Sequence, residues 1–267
     1  MRKQPIGIFD SGVGGLTVFK EIRKKFPFED IVYFGDTARV PYGPKSRNTV
    51  IEYSIQNARF LLQCGAKIIV VACNTSSSVA LETLKKVLSI PVIGVIEPGV
   101  ISAVNNSKNG KIGIIGTEGT IRSKAYSQAI LKLNNNYEVF AKACPLFVSL
   151  VEEGMENHEI TKIISNEYLT PLLKKKIDAI ILGCTHYPIL KHIIQQTVGN
   201  EVTLVDSAQA VTNELEKILS PETSETGCDK FYVSDNEDKF RKIASRILER
   251  EIESLINVKL GESWYLA

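Results

Sequence analysis

The run Lys67-Ile-Ile-Val-Val-Ala-Cys73-Asn74-Thr75 constrains this chain more than any other stretch. Its Ile and Val residues are continuous rather than alternating, the pattern of a strand buried on both faces of a parallel sheet. The run stops at Cys73-Asn74-Thr75, after which Thr75 or Ser76 can cap a helix through Val79, Leu81, Leu84 and Leu88. The cysteine therefore falls at the carboxyl end of a strand, where open α/β sheets place their ligand crevice. The device recurs at Asp178-Ala-Ile-Ile-Leu-Gly183-Cys184-Thr185-His186-Tyr187-Pro188, with Pro188 suited to the first turn of a helix. Two strand-end cysteines, each followed by hydrogen-bonding side chains, predict one site lined by two thiols.

The rest of the chain alternates strand and helix. Gln4–Phe9 reads as a strand, Asp10-Ser11-Gly12-Val13-Gly14-Gly15 as a glycine-rich turn, and Leu16 to about Lys25 as a helix. A strand at Ile31–Phe34 follows, then a turn-rich loop over Gly35–Ser46 and a helix from about Arg47 to Cys64. Val92–Ile96 is a further strand, and Glu97-Pro98-Gly99 reads as a switch point between domains. Strands are expected at Lys111–Ile115, Tyr137–Ala143 and Thr203–Val205, with helices near Ile121, at Phe147–Glu153, Glu159–Leu173 and Ala208–Leu219. Pro221–Gly227 reads as a polar loop. The last strand (Phe231–Val233) and helix (near Phe240–Leu248) are the least informative part. Strands alternating with helices imply parallel sheets covered by helices.

An internal repeat organises these elements. Ile6-Gly7-Ile8-Phe9-Asp10-Ser11-Gly12 resembles Ile112-Gly113-Ile114-Ile115-Gly116-Thr117-Glu118, an offset of 112 − 6 = 106. The cysteines are offset by 184 − 73 = 111. Near-equal offsets point to duplication of one α/β unit, and two such units facing each other bring both cysteine turns to one cleft. A pseudo-symmetric site with an acid/base group on each side suits a substrate whose product is its mirror image. One thiolate takes a proton from carbon and the opposite thiol returns one to the other face, each group contributing about 10²–10⁴-fold. Asn74, Thr75, Thr185, His186 and nearby backbone N–H groups are available to tune the thiols, whose free pKa is ~8.5.

Other uses of these residues fit less well. A Cys73–Cys184 disulfide is disfavoured in a chain with five scattered cysteines, an odd number that suggests a reducing, cytoplasmic setting. Cys73, Cys184 and His186 lack a fourth ligand for zinc. Cys64, Cys144 and Cys228 read as buried structural thiols, and His158 and His192 as surface or helix-face residues. A dinucleotide fingerprint through Gly12 and Gly14 would need glycine where Thr17 stands, so Asp36 as a ribose acid is unsupported. That turn, with Ser11, can instead hold a carboxylate on helix N-terminal N–H groups. A net charge of +2 argues against nucleic acid, and no apolar run nears the 18 residues of a membrane span. Lys174-Lys175-Lys176 reads as a solvated face.

The joint motifs Phe9-Asp10-Ser11-Gly12-Val13-Gly14-Gly15-Leu16-Thr17, Pro41-Tyr42-Gly43-Pro44, Cys73-Asn74-Thr75, Pro91 to Gly99, Gly116-Thr117-Glu118-Gly119-Thr120 and Gly183 to Pro188 resemble the cofactor-independent glutamate racemases of bacterial cell-wall synthesis. The resemblance spans residues 6 to about 210, and the tail from Pro221 carries none of it. It implies an α/β fold of two similar domains with mainly parallel sheets, related by a pseudo-two-fold, with the active site in the cleft between them. The first domain would comprise 1–97 plus 208–267 and the second 98–207. The same resemblance implies Cys73 and Cys184 as catalytic acid/bases, facing the D- and L-enantiomer respectively, with Asp10, Glu152 and His186 assisting. Asp10, Ser11, Tyr42, Gly43, Asn74, Thr75, Thr185 and His186 match substrate-binding positions. It further implies glutamate as substrate, no metal or cofactor, and a homodimer. Ser76 stands where the family more often has alanine, a departure expected to matter little.

Overall fold

The uninterrupted Ile and Val runs form the central strands of two parallel sheets in a computed structural model that describes residues 4–219 and 226–260. The chain begins β1 (Ile6–Asp10), α1 (Leu16–Lys25), β2 (Ile31–Gly35), α2 (Arg47–Gln63), β3 (Ile68–Val71), α3 (Asn74–Val87), β4 (Val92–Gly94) and α4 (Ile96–Asn106). It continues β5 (Lys111–Gly116), α5 (Glu118–Ser123), α6 (Ala125–Leu133), β6 (Glu138–Ala143), α7 (Leu146–Glu152), α8 (Glu159–Leu173) and β7 (Ala179–Gly183). A 3₁₀ turn at Tyr187–Leu190 leads to α9 (Lys191–Val198), β8 (Thr203–Asp206), α10 (Ser207–Ile218), β9 (Asp229–Val233), α11 (Glu237–Leu248) and β10 (Leu255–Asn257).

The sheets run β10-β9-β2-β1-β3-β4 and β6-β5-β7-β8, so the order β2-β1-β3-β4 of the first is repeated by the second. Register repeats with it. Ile6 lies opposite Ile68 and Ile112 opposite Ala179, displaced by the same 106 (112 − 6) and 111 (179 − 68) read from the motifs. The period of two along each strand shows why the runs are apolar throughout. Ile8, Ile68 and Val70 face a core with α1, α10 and α11, whereas Phe9, Ile69 and Val71 face one with α2 and α3. In the second sheet Ile112, Ile114 and Ile181 join α4 and α6, and Ile115, Ile180 and Leu182 join α7, α8 and α9.

Three expectations are corrected. The strand at Val92 ends at Gly94 rather than Ile96, and Glu97-Pro98-Gly99 lies in the first turn of α4. First-turn N–H groups have no helical partner, so Pro98 costs nothing there. A side chain at Gly99 would meet Ser207 Oγ at 2.6 Å, where α10 packs against α4. The helix near Ile121 is two helices, broken by the left-handed Lys124 (φ 58°). Strand β10 has no counterpart among the sequence expectations, and residues 221–225 of the expected Pro221–Gly227 loop lie outside the described residues. Among the described residues no helix is long and apolar enough to cross a membrane.

The tail, poorest in motifs, completes the first core. Strand β9 pairs along β2, and its Phe231 packs on Phe19 and Tyr33 with ring centroids 5.0 and 6.2 Å away. Phe231→Ala is expected to lower unfolding free energy by about 3–5 kcal/mol, the usual cost of emptying a buried aromatic site, as measured by urea denaturation.

Candidate active site

Both cysteines sit where parallel strands run out. Cys73 follows β3 and Cys184 follows β7, the equivalent strands of the two sheets, and both thiols are buried and free. They line one small cavity with Ser11, Tyr42, Gly43, Asn74, Thr75, Thr185 and His186. Nine of the eleven expected site residues thus share one wall, drawn from both sheets. Asp10 and Glu152 stand behind it. Val40, Pro41, Gly43, Thr117 and Val148 also border a larger outward cleft that reaches Glu152.

Cys73 is held by a helix. It is itself the N-cap of α3, its Sγ accepting the Ser76 N–H at 3.5 Å, so neither Thr75 nor Ser76 caps as the sequence suggested. Thr75 Oγ1 instead reaches Thr117 (2.8 Å) and Thr120 (3.3 Å) at the start of α5. Asn74 donates to the Tyr126 hydroxyl at 2.8 Å. Burial, and then the neighbouring Asp10 carboxyl, push the Cys73 thiol up to about 11 despite the Ser76 N–H and the nearby Ser11 hydroxyl, to which the thiol donates at 3.7 Å. It rests protonated at neutral pH. The Ser76 hydroxyl is fully buried without a hydrogen-bond partner of good geometry, yet close enough to Cys73 to pull its pKa down.

Cys184 is held by a side chain. His186 Nδ1 lies 3.9 Å from its Sγ, and His186 Nε2 lies 3.3 Å from Glu152 Oε1. Burial disfavours the imidazolium, but contacts with Cys184 and Glu152 and the pull of Asp10 outweigh it and raise His186 to about 10. Burial likewise disfavours the Glu152 carboxylate, and contacts with His186 and Lys239 overcome it, holding the group at about 2. A protonated imidazole and an ionised carboxylate therefore coexist beside the second thiol.

Asp10 joins the two halves. Its carboxyl accepts from Gly12 N–H at 2.9 Å and from Thr185 at 3.4 Å across the cavity floor. Burial raises its pKa, and His186 and the amides of Gly12 and Gly15 draw it back. The glycine-rich turn exists for this approach. A side chain on Gly14 would meet His186 and Thr185 at 2.4 Å, and one on Gly15 would meet Asp10 Cβ at 2.5 Å.

The sequence reading missed the supports of this wall. Asp36, dismissed there as a ribose acid, is buried and binds the Tyr42 hydroxyl, Arg39 (2.7 Å) and Ser234 (3.0 Å), fixing the Tyr42 loop. Its only sequence signal is an acid at a strand end. Thr117 carries a clearer one, a T-x-x-T turn before a helix. Among the other cysteines Cys144 is buried as expected, but Cys64 is half-buried and Cys228 exposed, at the strand-poor entrance to β9. His158 and His192 are exposed, His158 capping α8 through Nδ1.

The linkage has a definite sign. A histidine raised from 6.5 to about 10 adds stability that is full below 6.5 and is lost as pH climbs through 10. The stability gap between the protein and its His186→Gln variant is therefore expected to be widest near pH 6 and to narrow up to about pH 10.5. Thermal melts across that range check it.

The profile of the Asp/Glu/Hydantoin racemase family matches residues 15–215. A glutamate racemase of Geobacter metallireducens is 50% identical over 260 residues, 96% of this chain and 96% of that protein. The crystal structure of a glutamate racemase isoform from Bacillus anthracis superposes with a TM-score of 0.94 at 40% identity, over 97% of this chain and 99% of that one. That of Francisella tularensis glutamate racemase in complex with D-glutamate gives 0.91 at 41% identity, over 97% and 98%. Matched along nearly its whole length in sequence and in fold, the chain belongs to the Asp/Glu/Hydantoin racemase family.

Proposed function

We propose that the protein interconverts L- and D-glutamate by proton transfer at the α-carbon between Cys73 and Cys184, supplying D-glutamate for peptidoglycan synthesis. The observation that carries this reading is the pair of buried, free thiols at equivalent strand ends of a duplicated unit, both opening onto one cavity. Glutamate racemases are up to 50% identical to the chain, and one, 41% identical, was crystallised with D-glutamate.

In the L-to-D direction the Cys184 thiolate takes the α-proton, breaking C–H and forming S–H. The Cys73 thiol then gives its proton to the opposite face, and its S–H bond becomes the new C–H bond. A Cys73 thiol that rests protonated suits this direction. The reverse direction starts with the roles exchanged, since each turnover leaves the proton on the other sulfur and the first one as a thiolate. His186 and Glu152 assist on the Cys184 side and Asp10 on the Cys73 side. Ser11, Tyr42, Gly43, Asn74, Thr75 and Thr185, with Asp10 and His186, hold the carboxylates and ammonium of the substrate. In this reading residues 1–97 with 208–267 form one domain and 98–207 the other, and the protein works as a cytoplasmic homodimer.

Proton NMR of L-glutamate in deuterated water, with chiral analysis, is expected to show the α-proton signal vanish as D-glutamate appears. Cys73→Ser and Cys184→Ser, made separately, should each lower kcat/KM by about 10²–10⁴-fold. Undiminished racemisation by either variant would sink the mechanism, and a higher kcat/KM for aspartate would reassign the substrate. Gly14→Ala, which drives a methyl group into His186 and Thr185, is expected to cost about 10²-fold with the fold intact by circular dichroism.

A further inference from the structure

The carboxylate of Glu152 is shared between two cations on different parts of the chain. Its Oε1 faces His186 Nε2 at 3.3 Å, and its Oε2 accepts from Lys239 Nζ at 2.9 Å. The His186 contact is ionic without an aligned hydrogen bond, since Nε2 has no partner of good geometry. Its strength therefore depends on where the carboxylate is held. Lys239 holds it from α11, in the motif-poor tail, at the third residue of a helix capped by Asn236, whose Oδ1 accepts the Lys239 N–H at 3.2 Å. The helix is itself anchored to the end of α7. Arg246 donates to Val151 O at 2.7 Å, and the neighbouring Phe240 is buried in the first core.

We propose that Lys239 is a positioning residue for the Cys184 half of the site, fixing the Glu152 carboxylate in the orientation that keeps His186 against Cys184. The inference deepens the two-thiol reading and rests on it for the link to turnover. The groups that face this chain of contacts are few. His186 and Lys239 face Glu152, Cys184, Asp10 and Glu152 face His186, and Glu152 and Glu153 face Lys239. A purely structural role for the pair would be slight. The Lys239 side chain is about half exposed (47%), and ion pairs of that kind add about 0–1 kcal/mol to a fold. The Arg246 anchor to Val151 O does not involve the Lys239 side chain.

The test is Lys239→Met, with Lys239→Arg as the conservative control. The chain has three histidines, so ¹⁵N NMR of histidine-labelled protein follows His186 with the exposed His158 and His192 as references. In Lys239→Met the His186 titration midpoint is expected to fall from about 10 toward its ordinary 6.5. The kcat/KM for glutamate is expected to fall about tenfold, and Lys239→Arg to restore both. Direction decides the matter. Loss of a nearby cation alone would raise the midpoint, so only loss of the Glu152 contact lowers it. A midpoint that rises or stays put overturns the proposal. If the unmodified protein fails to racemise glutamate, the reaction proposed above is what fails, and the His186 midpoint still decides the positioning role.

Discussion

Asp10 is fully buried, and the site is arranged to make that tolerable. Removing a carboxylate from water is costly unless donors and a positive charge replace the water. Here Gly12 and Gly15 supply amides, Thr185 supplies a hydroxyl, and His186 supplies the charge. The last two belong to the other half of the repeat. The electrostatic need of one strand end is thus met by the opposite strand end, which holds the two cysteine turns in register across the cavity. The same need explains the glycines of the first turn. Any side chain at Gly14 or Gly15 would occupy the space through which these partners approach.

Within that frame the two thiols are symmetric in position and unlike in support. Cys73 caps a 14-residue helix and receives a backbone N–H, beside hydroxyls from Ser11 and Ser76. Cys184 precedes a 3₁₀ turn in which Pro188 has no N–H and the Tyr187 and Ile189 N–H groups already bond the Cys184 and His186 carbonyls. A charged side chain, His186, takes the place of the helix. It needs Glu152 behind it, and Glu152 in turn meets Lys239. Duplication of the fold therefore supplied two thiols in equivalent places, while their local chemistry diverged. The proposed reaction would need both thiols able to give and to take a proton, and two different devices can serve that end.

The tail shows how function draws on segments without motifs. Strands β9 and β10 extend the first sheet, and Phe231, Phe240 and Ile243 fill its core. From the same segment come Ser234, bound to Asp36 beneath the Tyr42 loop, and Lys239. The wall of the cavity and its backing thus come from different parts of the chain.

Much of this was legible in one dimension. Continuous apolar runs ending in cysteine specify strands buried on both faces, and the 106- and 111-residue offsets specify a duplicated unit, because strand patterns and repeats are local properties of a sequence. The supports were not legible. Nothing near Asp36 in sequence indicates that it holds Tyr42, and nothing near Lys239 points 87 residues back to Glu152. Nor does Pro98-Gly99 announce a helix by itself, since proline and glycine usually mark turns, yet the pair lies in the first turn of α4, with α10 packed close against Gly99. The sequence by itself determined which residues could do chemistry and that they came in two sets. Tertiary structure decided what stands behind each thiol, because burial and the charges that offset it exist only once distant segments have packed together.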